Sequence, residues 1–142
     1  WAHMAWVFNG TLQKQYLYID TTLRSTVDAP FNSYSYSNAL ALWIGNDHNV
    51  GEQFTGKLDE VRIWNTARSQ VEIAANWKTD LVGNESGLIV YWNFNDDLLD
   101  STSNNLDGTA SGTAVYSTDL PYTAGGGATA SIPVTNGAGV FF

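Results

Sequence analysis

Two polar loops hold most of the side chains able to bind something. Asn46 to Gln53 reads NDHNVGEQ. Asn46, Asp47, His48 and Asn49 offer paired donors and acceptors that can hold sugar hydroxyls bidentately, and their oxygens also suit calcium. His48 alone is no zinc site. Asn95 to Gly108 reads NDDLLDSTSNNLDG and sets Asp97, Asp100, Asn104 and Asp107 at short spacing before a glycine, with Asp96 and Thr102 among them. Calcium takes about six to eight oxygens, and this loop has that many candidates, although it lacks the bidentate Glu and flanking helices of an EF-hand. Each loop also has a plainer reading. The first is a solvated hairpin loop; the second is a turn-rich hairpin whose Asp and Asn side chains cap their own backbone. A carboxylate pair at Asp59-Glu60 is the third feature, and Tyr34 and Tyr36, alternating with Ser33 and Ser35, are the fourth. Flat tyrosine rings can stack on pyranose faces. The same alternation fits an edge strand with one aromatic face on the core.

Strands position these groups. Leu40 to Gly45 reads as a strand leading into the first loop, and Lys57 to Trp64 as the strand leaving it. Strict alternation along Lys57 to Trp64 sends Asp59, Val61 and Ile63 inward and Leu58, Glu60, Arg62 and Trp64 outward. Glu60 and Arg62 then share a solvated face. Asp59 points inward, where it requires a hydrogen bond or a metal. Residues 1–9 and Gln15 to Asp20 form a hairpin around Asn9-Gly10, the first strand being apolar on both faces. His3 reads as a satisfied sheet histidine without a role. Thr21 to Tyr36 reads as a long connection containing Pro30. One helix is expected over Arg68 to Lys78, started by the capping box Ser69-Gln70-Val71-Glu72 and carrying an apolar stripe of Val71, Ile73, Ala74 and Trp77 against the sheet near Trp64. Leu88 to Phe94 and Gly112 to Leu120 read as further strands. Thr123 to Ala130 is a Gly/Ala-rich linker, and Ser131 to Phe142 a hairpin around Asn136-Gly137.

Several of these segments resemble a known family. Ile44-Gly45, Phe54-Thr55-Gly56, Leu58-Asp59-Glu60-Val61-Arg62-Ile63-Trp64-Asn65, Ala67-Arg68-Ser69 and Glu72-Ile73 resemble the end of a laminin-G-like (concanavalin A-like) domain. The likeness continues through Gly87 to Phe94, Asp100-Ser101, Asn104-Asn105 and Asp107-Gly108-Thr109, so it covers roughly residues 1–122. It implies an all-β, antiparallel jelly-roll sandwich with one short helix near 68–78. In the family a W-x-H-x-A strand followed by LY-x-D lies in mid-domain. The resemblance therefore implies that the front half of the sandwich is missing here, or is supplied by another segment of a parent chain or by a partner chain. Residues 123–142 then form a linker or the start of a following β module. The first residue is Trp, from which a processed product or a piece of a longer chain is expected.

Composition bounds the function. The 142 residues make one domain's worth of chain. Six Lys+Arg against fourteen Asp+Glu leave a net charge of −8, which argues against nucleic acid and against anionic membrane surfaces. No run is long enough to insert into a membrane. No cysteine is present, so disulfides and thiolate zinc sites are excluded.

The family includes β-glucanases, which set two glutamates around an aspartate on one strand. Here Asp59 and Glu60 are adjacent, face opposite sides, and have no second Glu on that strand. The expectation is a non-enzymatic module of a bacterial surface or secreted protein. It binds a glycan or another cell-surface ligand, with calcium as its possible cofactor. If sugar binds, Asn46, Asp47, His48 and Asn49 hold it and Tyr34 or Tyr36 stacks on it. The alternative is a spacer or assembly domain that binds protein.

Overall fold

A computed structural model describes residues 1–30, 41–45, 54–111, 115–122, 132–134 and 139–141. In chain order the elements are β1 (Met4–Asn9), β2 (Lys14–Ile19), β3 (Thr22–Asp28), β4 (Trp43–Ile44), β5 (Gly56–Leu58), β6 (Val61–Trp64), α1 (Gln70–Asn76), β7 (Leu88–Trp92), β8 (Thr109–Ser111), β9 (Ile132–Val134) and β10 (Gly139–Phe141). Every strand pair is antiparallel, in the orders β1-β2-β3, β4-β10-β8, β5-β9 and β6-β7. Among the described residues this is an all-β arrangement of antiparallel strands with a single short helix.

The β1–β2 turn is held by Asn9, whose side-chain oxygen accepts the Leu12 N–H at 3.0 Å. Asp20 and Thr21 both have positive φ, 46° and 68°, as a two-residue hairpin turn requires. That turn returns the chain into β3, so the long connection expected from Thr21 contains a strand instead. Asp-Thr is a poor advertisement for such a turn. The pairing with β2 rather than burial sustains β3, all seven residues of which are exposed.

Among the described residues, two apolar clusters form the core. Val90, Trp92 and Phe94 make one, with Ile44, Leu58, Val61, Ile89, Leu98 and Tyr116 packed around them. β7 supplies most of it because its β-branched and aromatic run is buried on both faces. Val7, Tyr18 and Ile73 make the other, which seats α1 on the β1–β2 hairpin. The helix starts as its capping box dictates: Ser69 Oγ accepts the Glu72 N–H and the Glu72 carboxylate accepts the Ser69 N–H. Arg68 lies over the Trp64 ring, 4.3 Å from its centroid.

Several expectations are corrected. Lys57 to Trp64 is not one strand, because Glu60 adopts φ 56° and separates β5 from β6. The break lets Leu58 and Val61 both reach the first cluster, while Ile63 turns outward. Val71 is exposed, off the helix's packed stripe. β1 buries one face only: Val7 is buried, whereas Met4 and Trp6 are 70% and 61% exposed. Of the strand expected at Gly112 to Leu120, residues 115–120 form no strand, β8 ends at Ser111, and residues 112–114 lie outside the described residues. The segments of the expected C-terminal hairpin do not pair with each other. β9 adds to β5, and β10 enters between β4 and β8.

Candidate functional site

The register of the β1-β2-β3 sheet brings a groove together on the face turned away from Val7 and Tyr18. Trp6 stands opposite Leu17, and Leu17 opposite Ser25; Phe8 stands opposite Gln15, and Gln15 opposite Val27. Opposed residues project to the same face, so these form two adjoining cross-strand rows. The Trp6 indole N–H donates to the Gln15 amide oxygen at 3.2 Å, which fixes the ring across the rows. The resulting groove has a volume of about 220 Å³ and is lined by Trp6, Gln15, Tyr16, Leu17, Ser25 and Val27. No charged side chain lines it. An exposed indole, an aliphatic floor, an amide and a hydroxyl are the groups that receive a flat ligand with apolar faces and polar edges.

A polar centre lies at the β5–β6 break. Glu60 and Arg62 form an ion pair whose side chains are each only 11% exposed, so the solvated outer face expected for them is not what they occupy. The Tyr91 hydroxyl donates to Glu60. Arg62 also donates to the carbonyls of Asn76 at 2.8 Å and Thr79 at 2.6 Å, tying β6 to the last residue of α1 and the chain just beyond it. Burial, then the charge and hydrogen bond of Glu60, push the Tyr91 hydroxyl well above its ordinary range. Asp59 is held between these groups. One of its oxygens accepts the Glu60 N–H at 2.9 Å, and the other is enclosed without a hydrogen-bond partner among the described residues. Burial, followed by the negative charge of Glu60, pushes its pKa up to about 7. Although Asp59 and Glu60 are paired acids, Glu60 is engaged by Arg62 and Tyr91, and Tyr91 is only 2% exposed. The arrangement joins strands, with the Glu60 carboxylate taken up by Arg62 and Tyr91.

The acidic loop is organised by Asp100, which is 8% exposed. One carboxylate oxygen accepts the Tyr91 N–H at 3.1 Å and the Thr102 N–H at 2.9 Å; the other accepts the Thr102 hydroxyl at 2.8 Å and the Leu106 N–H at 3.0 Å. Burial alone would raise its pKa, but the donors, Leu106 N–H foremost, outweigh it and hold the carboxyl below its ordinary value. Asp107 accepts the Asp100 N–H, Asp97 accepts the Leu99 N–H, and Asn104 donates to the Ile89 carbonyl. Asp97, Asp100, Asn104 and Asp107 are thus each engaged with backbone, the chemistry of a self-capped turn. Among the described residues no group of three or more His, Asp or Glu side chains is placed to hold a metal ion.

Asn46, Asp47, His48, Asn49, Tyr34 and Tyr36 lie outside the described residues. His3 packs edge-on against Trp77, ring centroids 6.1 Å apart, and burial lowers its pKa. Trp6 and Gln15 were not singled out by sequence. Their signal was the apolar second face of residues 1–9, which reads as interior until β3 is recognised as an open edge.

A family model described as the concanavalin A-like lectin/glucanases superfamily, of laminin-G type, matches residues 1–74. The match takes in all three strands of the groove, the β5–β6 break and the start of α1. The chain belongs to this superfamily, whose laminin-G-like members are lectin-like or adhesive modules and generally not enzymes. No curated protein and no solved structure matches it.

Proposed function

We propose that the chain is a non-catalytic carbohydrate-binding module of a larger extracellular or cell-surface protein, with the Trp6 groove as its principal ligand surface. The observation that carries this reading is the Trp6–Gln15 pair over an uncharged groove. A pyranose ring stacks its CH face on the indole while the groove's amide and hydroxyl meet its edge. The absence of charge in the lining favours a neutral glycan. The loop residues Asn46, Asp47, His48 and Asn49, with Tyr34 or Tyr36, are proposed as a second contact region, where calcium can assist.

Titration with neutral oligosaccharides, followed by tryptophan fluorescence and calorimetry, tests this. Trp6→Ala should abolish binding and leave the melting temperature nearly unchanged, because the side chain is largely exposed. Undiminished binding by Trp6→Ala would remove the groove from the reading.

Protein adhesion is the second reading, favoured by Met4 at 70% exposure beside Trp6 on the same face. An array negative for glycans but a specific protein partner lost in Met4→Lys would establish it.

A further inference from the structure

Asn9 closes β1, and Gly10 to Gln13 turn the chain into β2. Asn-Gly occurs twice in the sequence, here and at Asn136-Gly137, which lies outside the described residues. The pair matters chemically because glycine has no side chain to keep its backbone nitrogen away from the preceding carboxamide. Asn9 and Gly10 are half-buried and Thr11, Leu12 and Gln13 are exposed, so water reaches the turn.

The hydrogen bonds of the turn prepare this carboxamide for attack. Asn9 Oδ1 accepts the Leu12 N–H at 3.0 Å. A nucleophile adding to Cγ drives negative charge onto that oxygen, and a backbone N–H already aimed at it stabilises the charge. The Gly10 N–H, by contrast, donates to no backbone acceptor among the described residues, so no such bond has to break before its nitrogen can approach Cγ. The register sets the surroundings. Asn9 stands opposite Lys14, and Lys14 opposite Asp28, so the three form one row across the sheet. Lys14 bonds Asp28 at 2.6 Å, and that hydrogen bond raises the Lys14 pKa. The amine is thereby held as ammonium and does not compete for the carboxamide.

We propose that Asn9 is a self-modifying site, converting in the folded chain to aspartate and isoaspartate through a cyclic imide formed with Gly10. The Gly10 nitrogen bonds to Asn9 Cγ, the Cγ–Nδ2 bond breaks, and ammonia leaves with the proton that the Gly10 nitrogen gives up. Water then opens the imide. Its attack at Cγ leaves aspartate; its attack at the main-chain carbonyl leaves isoaspartate, with the backbone routed through the side chain and one methylene longer. One water is consumed and one ammonia released. Either product adds a negative charge to a chain already at −8. Aspartate places a second carboxylate beside Lys14. Isoaspartate disturbs the Asn9–Lys14 register, loosening the hairpin on which Trp6 and Gln15 meet.

The full chain, incubated folded at neutral to mildly alkaline pH, is followed by ion-exchange chromatography, ammonia release and peptide mapping that separates the two products. A more acidic species should accumulate, with aspartate and isoaspartate both at Asn9. Asn9→Gln lengthens the side chain, disfavours the five-membered ring, and should lose the reaction at this site. Gly10→Ala should slow it about tenfold. Leu12→Pro removes the N–H on Oδ1 without touching the Asn-Gly pair; it should slow conversion in the folded chain but not in urea, where the turn is absent. Gly10→Ala keeps that N–H, so it reads imide formation even if Leu12→Pro disturbs the turn. No conversion at Asn9, conversion confined to Asn136, or a folded-state rate indifferent to Leu12→Pro overturns the proposal. So does ammonia loss without water uptake that leaves Lys14 joined to Asn9, because the amine is then the nucleophile.

Discussion

The Tyr91 hydroxyl reaches both carboxylate oxygens of Glu60, at 2.8 and 2.9 Å, while Arg62, the residue opposite Tyr91 in the β6–β7 ladder, places its guanidinium 5.3 Å from the Tyr91 ring centre. Side chains from β6, β7 and the break between β5 and β6 are thus joined where β5 ends and β6 begins. Removing Glu60 would strand a largely buried guanidinium. Glu60→Ala should destabilise by roughly 3 kcal/mol and Tyr91→Phe by about 1–2 kcal/mol, measured by urea denaturation.

Asp59 gives the stability a distinct pH dependence. Its pKa is raised in the folded state to about 7 from an ordinary value of 3.8, so the folded chain holds the proton that the unfolded chain releases. Its contribution is fully present below pH 3.8 and declines as pH rises to about 7. Asp59→Asn should therefore gain on the parent chain progressively across that window and keep a constant advantage above it. Melting curves of both proteins at a series of pH values give the difference directly; a gap that does not widen with pH would refute the assignment.

Asp100 acts in the opposite direction. Its lowered pKa makes its stabilisation complete above the ordinary carboxylate value and lost as acid protonates it. Asp100→Ala would leave the amides of Tyr91, Thr102 and Leu106 without their acceptor. A loss of about 3 kcal/mol or more is expected, with Asp100→Asn intermediate. Calorimetric unfolding near neutral pH measures it.

Gly83 couples two turns. Its φ is 91°, and a Cβ there would run into the Ser101 carbonyl oxygen. Glu85 accepts the N–H groups of both Val82 and Gly83, holding the segment in place. Gly83→Ala should cost roughly 2 kcal/mol from conformational strain and the clash together, read as a lowered urea midpoint.

Local chemistry was readable in the sequence where the cause was local. Ser69 and Glu72 announced the start of α1, Asn9-Gly10 the first hairpin, and the run from Leu88 to Phe94 a strand, which the structure ends at Trp92. β3 was hidden because Asp20-Thr21 reaches positive φ without glycine or asparagine, and because TLRSTVD carries no buried face to betray it. The break at Glu60 has no signal in its neighbours: alternation predicts one continuous strand, and the bonds to Arg62 and Tyr91 accompany the reversal. Val71 fits the helical period but faces away from Val7 and Tyr18, which only the placement of the hairpin decides. The groove depends on β3, so it was invisible for the same reason.

The position of β10 has a consequence for how the chain acquires its shape. Trp43 pairs with Phe141, nearly a hundred residues later, and Thr109 reaches the same strand from its other side. β4 and β8 therefore have no ladder between them until the segment beyond the glycine-rich stretch arrives. On a ribosome, the β1–β2–β3 meander and α1 can assemble as they emerge, whereas this sheet waits for the last of these residues to be translated. Loop-closure entropy makes that final insertion slow relative to hairpin formation. Until then its vacant central lane is open to any extended segment nearby.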